Sequence, residues 1–208
     1  MTVALRVDGD LRVTGALQVD GTMPTVKRTS IEQTAEAVFA IPLNSLRVHD
    51  ALATNLPGTA ADDDLALIGG AFGSASPKIS TGDVKGAGCT RYARFQFQLP
   101  AEYDAGQTVA IRASCGMTTT AADGTATLDF VVHKADREAG VSADICATAA
   151  ADINDTSWAD RTFQITPTGL TAGDVLDIRM ALTITDTATG TAVIGDVGAL
   201  EMLVDIRA

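Results

Sequence analysis

Residues 175–184 read VLDIRMALTI, a stretch in which every second side chain is apolar. The apolar set consists of Leu176, Ile178, Met180, Leu182 and Ile184. Side chains two residues apart point to the same side of an extended chain. The stretch therefore predicts a β-strand with one buried face and one solvated face, as in packed antiparallel sheets.

The same alternation recurs along the chain, at residues 91–99, 126–133 and 199–207, with shorter candidates at 65–68, 78–81, 109–114 and 162–166. These segments predict about eight strands that form two antiparallel sheets packed as a sandwich. The predicted core residues are Phe95, Phe97, Leu128, Phe130, Ile178, Met180, Leu182, Leu200, Met202 and Val204.

Residues 105–112 (AGQTVAIR) and 172–179 (AGDVLDIR) resemble each other. Equivalent strands in two halves of one domain suit a jelly roll, which contains two Greek keys. The alternative is that Ala-Gly-polar is a common hairpin entry that occurs twice. We predict an all-β fold in which a short, intertwined β-helical segment precedes an antiparallel jelly-roll β-sandwich.

Three consecutive hexapeptides occupy residues 5–22: LRVDGD, LRVTGA and LQVDGT. Each has Leu and Val two residues apart, followed by a glycine that permits a turn, which is typical of β-helical rungs. Six large apolar side chains are too few for one chain to close a core, because stacked repeats need neighbours. We therefore predict a homotrimer with an interface formed by Leu5, Val7, Leu11, Val13, Leu17 and Val19.

This repeat divides the chain into three predicted parts: a trimerising repeat at 1–23, a connecting segment at 24–44 and the sandwich at 45–208. Ser30 and Gln33 fit a weak capping box, so a helix over 30–39 is one interpretation of the connecting segment. We favour an extended chain there.

The chain has 208 residues, 46% of them hydrophobic, and a formal net charge of −11. Such an acidic protein repels nucleic-acid phosphates and anionic lipids, so we expect neither nucleic acid nor a membrane as a partner. Three irregularly spaced cysteines do not form a disulfide framework, and we expect buried free thiols. With no leader peptide in the sequence, synthesis in a reducing cytoplasm is expected.

Two loops carry the candidate interface residues. Asp62, Asp63 and Asp64 suggest a Ca²⁺ site, but consecutive residues point in different directions and a solvated acidic loop is favoured. Trp158, the sole tryptophan, is either a loop anchor or interface plug, which we favour, or part of a sugar-binding platform. We predict that these four residues belong to a partner or interface loop.

No residue pattern in the sequence predicts a catalytic, metal-binding or phosphate-binding site. His49 and His133 are the only histidines, and neither lies in a zinc-type spacing. The chain has no nucleophile elbow and no phosphate-binding glycine loop that leads into a helix. We predict no catalytic residue, no metal and no cofactor, and therefore no enzyme.

The rungs LRVDG and LRVTG resemble the short β-helical repeats of bacteriophage fibre and collar proteins. Residues 46–208 resemble phage virion structural proteins with a jelly-roll domain, chiefly through QLPA at 98–101 and TGLTAGD at 168–174. Bactofilin-like cytoskeletal proteins also use such rungs, but through the whole domain.

The resemblance implies a trimeric capsid decoration or cement protein that binds the major capsid protein of a phage shell and resides on the virion surface. The alternative is a tail fibre, a collar or a receptor-binding protein that recognises host glycans.

Overall fold

The computed structural model describes residues 34–135 and 140–207, and these residues contain ten strands. They belong to one compact unit, Gln33–Ala208. The predicted repeat and its six interface residues lie outside the described residues. The strands are β1 (Thr34–Ala40), β2 (Ala66–Ile68), β3 (Lys78–Ser80), β4 (Cys89–Gln98), β5 (Val109–Thr119), β6 (Thr125–Ala135), β7 (Ala151–Asp152), β8 (Ala159–Ile165), β9 (Val175–Thr185) and β10 (Ile194–Arg207).

The strands form two antiparallel sheets. One has the order β2-β3-β10-β5-β8, with β1 also paired to β10, and the other has the order β4-β9-β6-β7. When the eight strands from β3 to β10 are numbered 1 to 8 along the chain, their order across the first sheet is 1-8-3-6. Their order across the second sheet is 2-7-4-5. This interleaving of two Greek keys is a jelly roll, so the predicted fold class of the sandwich is confirmed.

The segment before the sandwich is extended and not helical over residues 34–40. Its strand β1 pairs antiparallel with the second half of β10, from Thr34 with Arg207 to Ala40 with Glu201. Part of the predicted connecting segment 24–44 is thus a strand of the sandwich. A short 3-10 helix, Leu43–Ser45, follows it. Within the described ranges, no helix is long and apolar enough to cross a membrane.

The core lies between the two sheets and consists of the alternating apolar faces. Nine of the ten predicted core residues are buried. Phe97 differs, because it is half-buried near the end of β4. Its ring packs against Phe39 of β1, with ring centroids 5.7 Å apart. The two rings connect the two sheets at the margin of the core.

The similar segments 105–112 and 172–179 occupy equivalent places. They lead into β5 and β9, the third strand of each half of the jelly roll. Gly106 and Gly173 both have φ of +83°, a left-handed conformation that glycine adopts without strain. The shared Ala-Gly therefore builds the same entry turn twice.

Candidate functional site

The acidic loop is a tight turn fixed to strand β4. The Asp64 amide donates to the Ala61 carbonyl at 2.8 Å, and Asp62 has the unusual φ of +49°. The Tyr92 amide donates to the Asp63 carbonyl at 2.7 Å. The Leu65 amide then donates to the Tyr92 carbonyl at 3.0 Å. These bonds hold the carboxylates beside Tyr92.

His49 reaches the same place from another loop. Arg47 and Arg94 exchange backbone hydrogen bonds of 2.8 and 2.9 Å. The Arg94 guanidinium donates to the His49 carbonyl at 3.3 Å. The imidazole packs on the Tyr92 ring, with centroids 4.7 Å apart. Tyr92 and Arg94 lie two residues apart on β4, the edge strand of its sheet, so the backbone groups on the free edge of β4 bind both the acidic turn and the loop that carries His49.

The donor atoms of His49, Asp50 and Asp64 all lie within 4.8 Å of one another. We call these three residues the His49 cluster. His49 Nδ1 is 3.9 Å from Asp64 Oδ1, and both atoms are buried without a hydrogen-bond partner. On the other side of the ring, Nε2 lies 3.5 Å from Asp63 Oδ2. The imidazole is thus placed between two carboxylates.

Electrostatics at the cluster disfavour an unneutralised carboxylate. Burial raises the pKa of Asp64, and the neighbouring carboxylates of Asp63 and Asp50 raise it further. His49 acts in the opposite direction but does not offset them. A cation among these groups would remove the repulsion.

A concavity adjoins the cluster on the outer face of the β4-β9-β6 sheet. The Arg94 guanidinium forms a two-pronged ion pair with Asp177, one arm at 2.7 Å. The Arg179 guanidinium lies 4.9 Å from the centre of the Tyr92 ring. The concavity has a volume of about 300 Å³ and is lined by His49, Arg94, Val131, His133, Val141, Asp177 and Arg179.

A second, more apolar groove lies where the edge of β10 passes from β3 to β1. Its volume is about 640 Å³, and it is lined by Leu43, Asn44, Leu67, Gly69, Ser76, Pro77 and Gly198. We call it the junction groove. The loop between its Gly69 and Ser76 carries Phe72, whose side chain is fully exposed.

Trp158 borders the same region. A Cβ atom added at Gly116 or at Gly198 would lie 2.7 Å from its ring, so the indole packs directly on the backbone of β5 and β10. The side chain is nevertheless 39% exposed. One face of the ring is therefore used in packing, and part of it is available to a partner.

The three cysteines are free thiols, as predicted. Cys115 is buried, and burial raises its pKa to about 11. Cys89 and Cys146 are half-buried, which corrects the expectation that all three are buried. These two thiols also have pKa values raised by burial.

The candidate residues from the sequence do not form one site. Asp63 and Asp64 lie beside His49, whereas Trp158 lies on the other sheet. Sequence reasoning weighed the aspartates and histidines separately and missed the His49 cluster. It also missed Phe72, for which an aromatic residue within the glycine-rich segment GGAFG at 69–73 is a usable signal.

No protein-family model and no curated protein sequence matches the chain. Among solved structures, the chain is similar to the CBM36-1 domain of a multidomain xylanase from the hindgut metagenome of Trinervitermes trinervoides. The identity is 9%, the TM-score is 0.38, and the match covers 81% of this chain and 96% of that one.

The CBM22-1 xylan-binding domain from Paenibacillus barcinonensis Xyn10C has 15% identity and a TM-score of 0.38. This match covers 70% of this chain and 82% of the other. Similarities of this degree do not bear on ligand or partner.

Proposed function

We propose that the protein is a non-catalytic structural protein of a bacteriophage virion, a trimeric decoration protein that stabilises the capsid. The observation that carries the proposal is the order of its parts: three hexapeptide rungs precede a jelly-roll sandwich whose first strand begins at Thr34. The rungs join three copies, and the sandwiches bind the major capsid protein. The protein is made in the host cytoplasm and functions on the virion surface.

The contact surface that we propose for the shell is the junction groove with Phe72 and Trp158. Leu43, Leu67 and Pro77 line the groove, and Phe72 and Trp158 are exposed large apolar side chains on segments that border it. Large aromatic residues provide most of the binding energy in many protein interfaces.

The rungs contribute to shell binding through avidity. A single sandwich binds the capsid weakly and dissociates often. The two linked copies that remain attached keep its effective concentration near the capsid high, so it rebinds. Linked sites of this kind exceed single-site affinity by about 10²–10⁴-fold. The six apolar residues of the rungs should therefore control occupancy of the capsid without touching it.

The experiment adds purified protein back to capsids from which it has been stripped, and occupancy is measured for wild type and for a variant lacking residues 1–22. Sedimentation should show a trimer for the wild type, and weaker association for the deletion variant with its β-structure retained. The deletion variant should need about 10²-fold or more higher concentration for half-occupancy. Equal binding by both forms would reject the avidity mechanism. Binding by neither would reject the capsid as partner.

A second candidate function, glycan recognition by a fibre or collar protein, is favoured by the concavity beside Tyr92. The guanidinium groups of Arg94 and Arg179 and the carboxylate of Asp177 line it, with Arg179 resting on the Tyr92 ring, and such groups can hydrogen-bond sugar hydroxyls. A glycan array distinguishes the two functions, because the decoration role requires no glycan ligand. Binding abolished by Tyr92→Ala but not by Trp158→Ala would favour this second function.

A further inference from the structure

We propose that the His49 cluster binds a divalent first-row transition ion, with Zn²⁺ as the representative, through His49, Asp50 and Asp64. The first argument is the pair of buried atoms that have no partner. His49 Nδ1 and Asp64 Oδ1 face each other at 3.9 Å, which is too far for a hydrogen bond. Buried polar atoms without a partner are rare in folded proteins and need an explanation.

The distances suit an ion. Two ligand atoms on one tetrahedral Zn²⁺ lie roughly 3.3 Å apart when each is about 2.0–2.1 Å from the metal. A contraction of about half an ångström would bring Nδ1 and Oδ1 to that separation. The Asp50 carboxylate is exposed and belongs to the same group of atoms within 4.8 Å. It therefore supplies a third ligand from the solvent side.

The other ring nitrogen also faces a carboxylate. Nε2 lies 3.5 Å from Asp63 Oδ2. A ligating histidine usually donates its second N–H to a carboxylate, a backbone carbonyl or water, which fixes the tautomer and orients the ring. Asp63 therefore has a positioning role, because it orients the imidazole, whereas Asp64 binds the ion.

The cluster is already assembled by the fold. The acidic turn is hydrogen-bonded to the backbone of Tyr92, and the His49 backbone is held by Arg94. Both supports lie on β4, an edge strand that pairs with β9 along its whole length. The ligand residues lie in loops, and these hydrogen bonds to β4 restrict the two loops that carry them.

The donor set selects the class of ion. One imidazole nitrogen with two carboxylates suits zinc and its first-row neighbours, whereas Ca²⁺ takes six to eight oxygen ligands. Three protein ligands leave at least one coordination position for water or for a ligand group. The cluster adjoins the concavity through His49, so that position is near a surface large enough for a small molecule.

The test is calorimetric titration of the full-length protein with ZnCl₂, alongside CaCl₂. We expect one Zn²⁺ per chain and weaker binding of Ca²⁺. Asp64→Asn and His49→Gln should each weaken Zn²⁺ binding at least about 10-fold. Binding of Co²⁺, followed by its visible absorption, reports the same site spectroscopically.

The matched control is Asp62→Asn. It removes the same charge from the same turn, and asparagine tolerates the left-handed conformation of Asp62. This variant should keep Zn²⁺ affinity within about threefold of wild type. Circular dichroism and thermal unfolding establish that each variant is folded, and His49→Gln gives a second reading if Asp64→Asn does not fold.

Three results would overturn the proposal. The first is an equal loss of Zn²⁺ affinity in Asp62→Asn and Asp64→Asn, which would mean diffuse attraction by an acidic loop. The second is no Zn²⁺ binding by the folded wild type at millimolar concentration. The third is tighter binding of Ca²⁺ than of Zn²⁺. None of these results depends on the capsid, so the site can fail or succeed independently of the decoration role.

Discussion

Replacing Phe130 with alanine should destabilise the sandwich more than any change on its outer face. Phe130 on β6 is 2% exposed, and Phe163 on β8 is fully buried. Their rings meet edge to face, with centroids 4.8 Å apart and planes inclined by 66°. Because β6 and β8 belong to different sheets, this pair joins the two layers at the centre of the core.

The magnitude follows from the buried ring. Removing a fully buried phenylalanine ring costs about 3–5 kcal/mol in lost transfer free energy and cavity formation. The edge-to-face contact accounts for about 0.5–1.5 kcal/mol of such a loss. With a guanidinium dependence of about 4 kcal/mol per molar, a loss of about 4 kcal/mol lowers the unfolding midpoint by about 1 M.

The assay is equilibrium unfolding in guanidinium chloride at one fixed protein concentration, since oligomerisation makes apparent stability depend on concentration. Val131→Ala is the control, because this half-buried neighbour points to the outer face of the same strand and should cost less than about 1 kcal/mol. The double variant of Phe130 and Phe163 should be less destabilised than the sum of the single variants. A loss under about 1 kcal/mol for Phe130→Ala, or equal losses for it and Val131→Ala, would refute the face assignment.

Three further predictions concern a turn, an ion pair and a thiol. Gly124→Ala should cost about 1–3 kcal/mol in thermal unfolding, because its Cβ would lie 1.7 Å from the Thr185 carbonyl oxygen, whereas Gly58→Ala, with open space around it, should not destabilise. Burial raises the pKa of the Asp174 carboxyl, but hydrogen bonds from Lys134 and Thr171 lower this pKa by more, so it is below its usual value. A lowered carboxylate pKa stabilises above the unfolded-state pKa of about 3.9, so Asp174→Asn should destabilise at pH 7 and progressively less as pH falls below about 4. Cys115, with a pKa of about 11, should resist alkylation at pH 8 until the protein unfolds, as mass spectrometry would show.

The strands with strict alternation could be predicted from the sequence, because burial of one face dictates their pattern. Residues 175–184 match β9 within one residue. The pairing of β1 could not be predicted, since its sequence TAEAVFA is rich in alanine and has weak intrinsic strand preference. Its conformation depends on the neighbouring edge of β10. Strand β7 has two residues, which is too short to produce any pattern.

The His49 cluster was beyond sequence reasoning for a different reason. His49 and Asp64 belong to separate loops, and neither has a spacing typical of metal ligands. What brings them together is Tyr92 and Arg94, which hold the two loops chiefly by backbone hydrogen bonds, with one further bond from the Arg94 guanidinium to the His49 carbonyl. Backbone bonds of this kind leave no mark on residue type, so the pattern of side chains cannot reveal them.

The pairing of β1 with β10 has a consequence for biosynthesis. The paired residues are 161 to 173 positions apart, from Ala40 with Glu201 to Thr34 with Arg207, so β1 leaves the ribosome long before β10 exists. At about 5–20 residues per second, the delay is on the order of 10–30 s. During that time the edge of β1 is open to any complementary strand. Exchange of β10 between two nascent chains would form the same ladder with the wrong molecule, which is domain swapping.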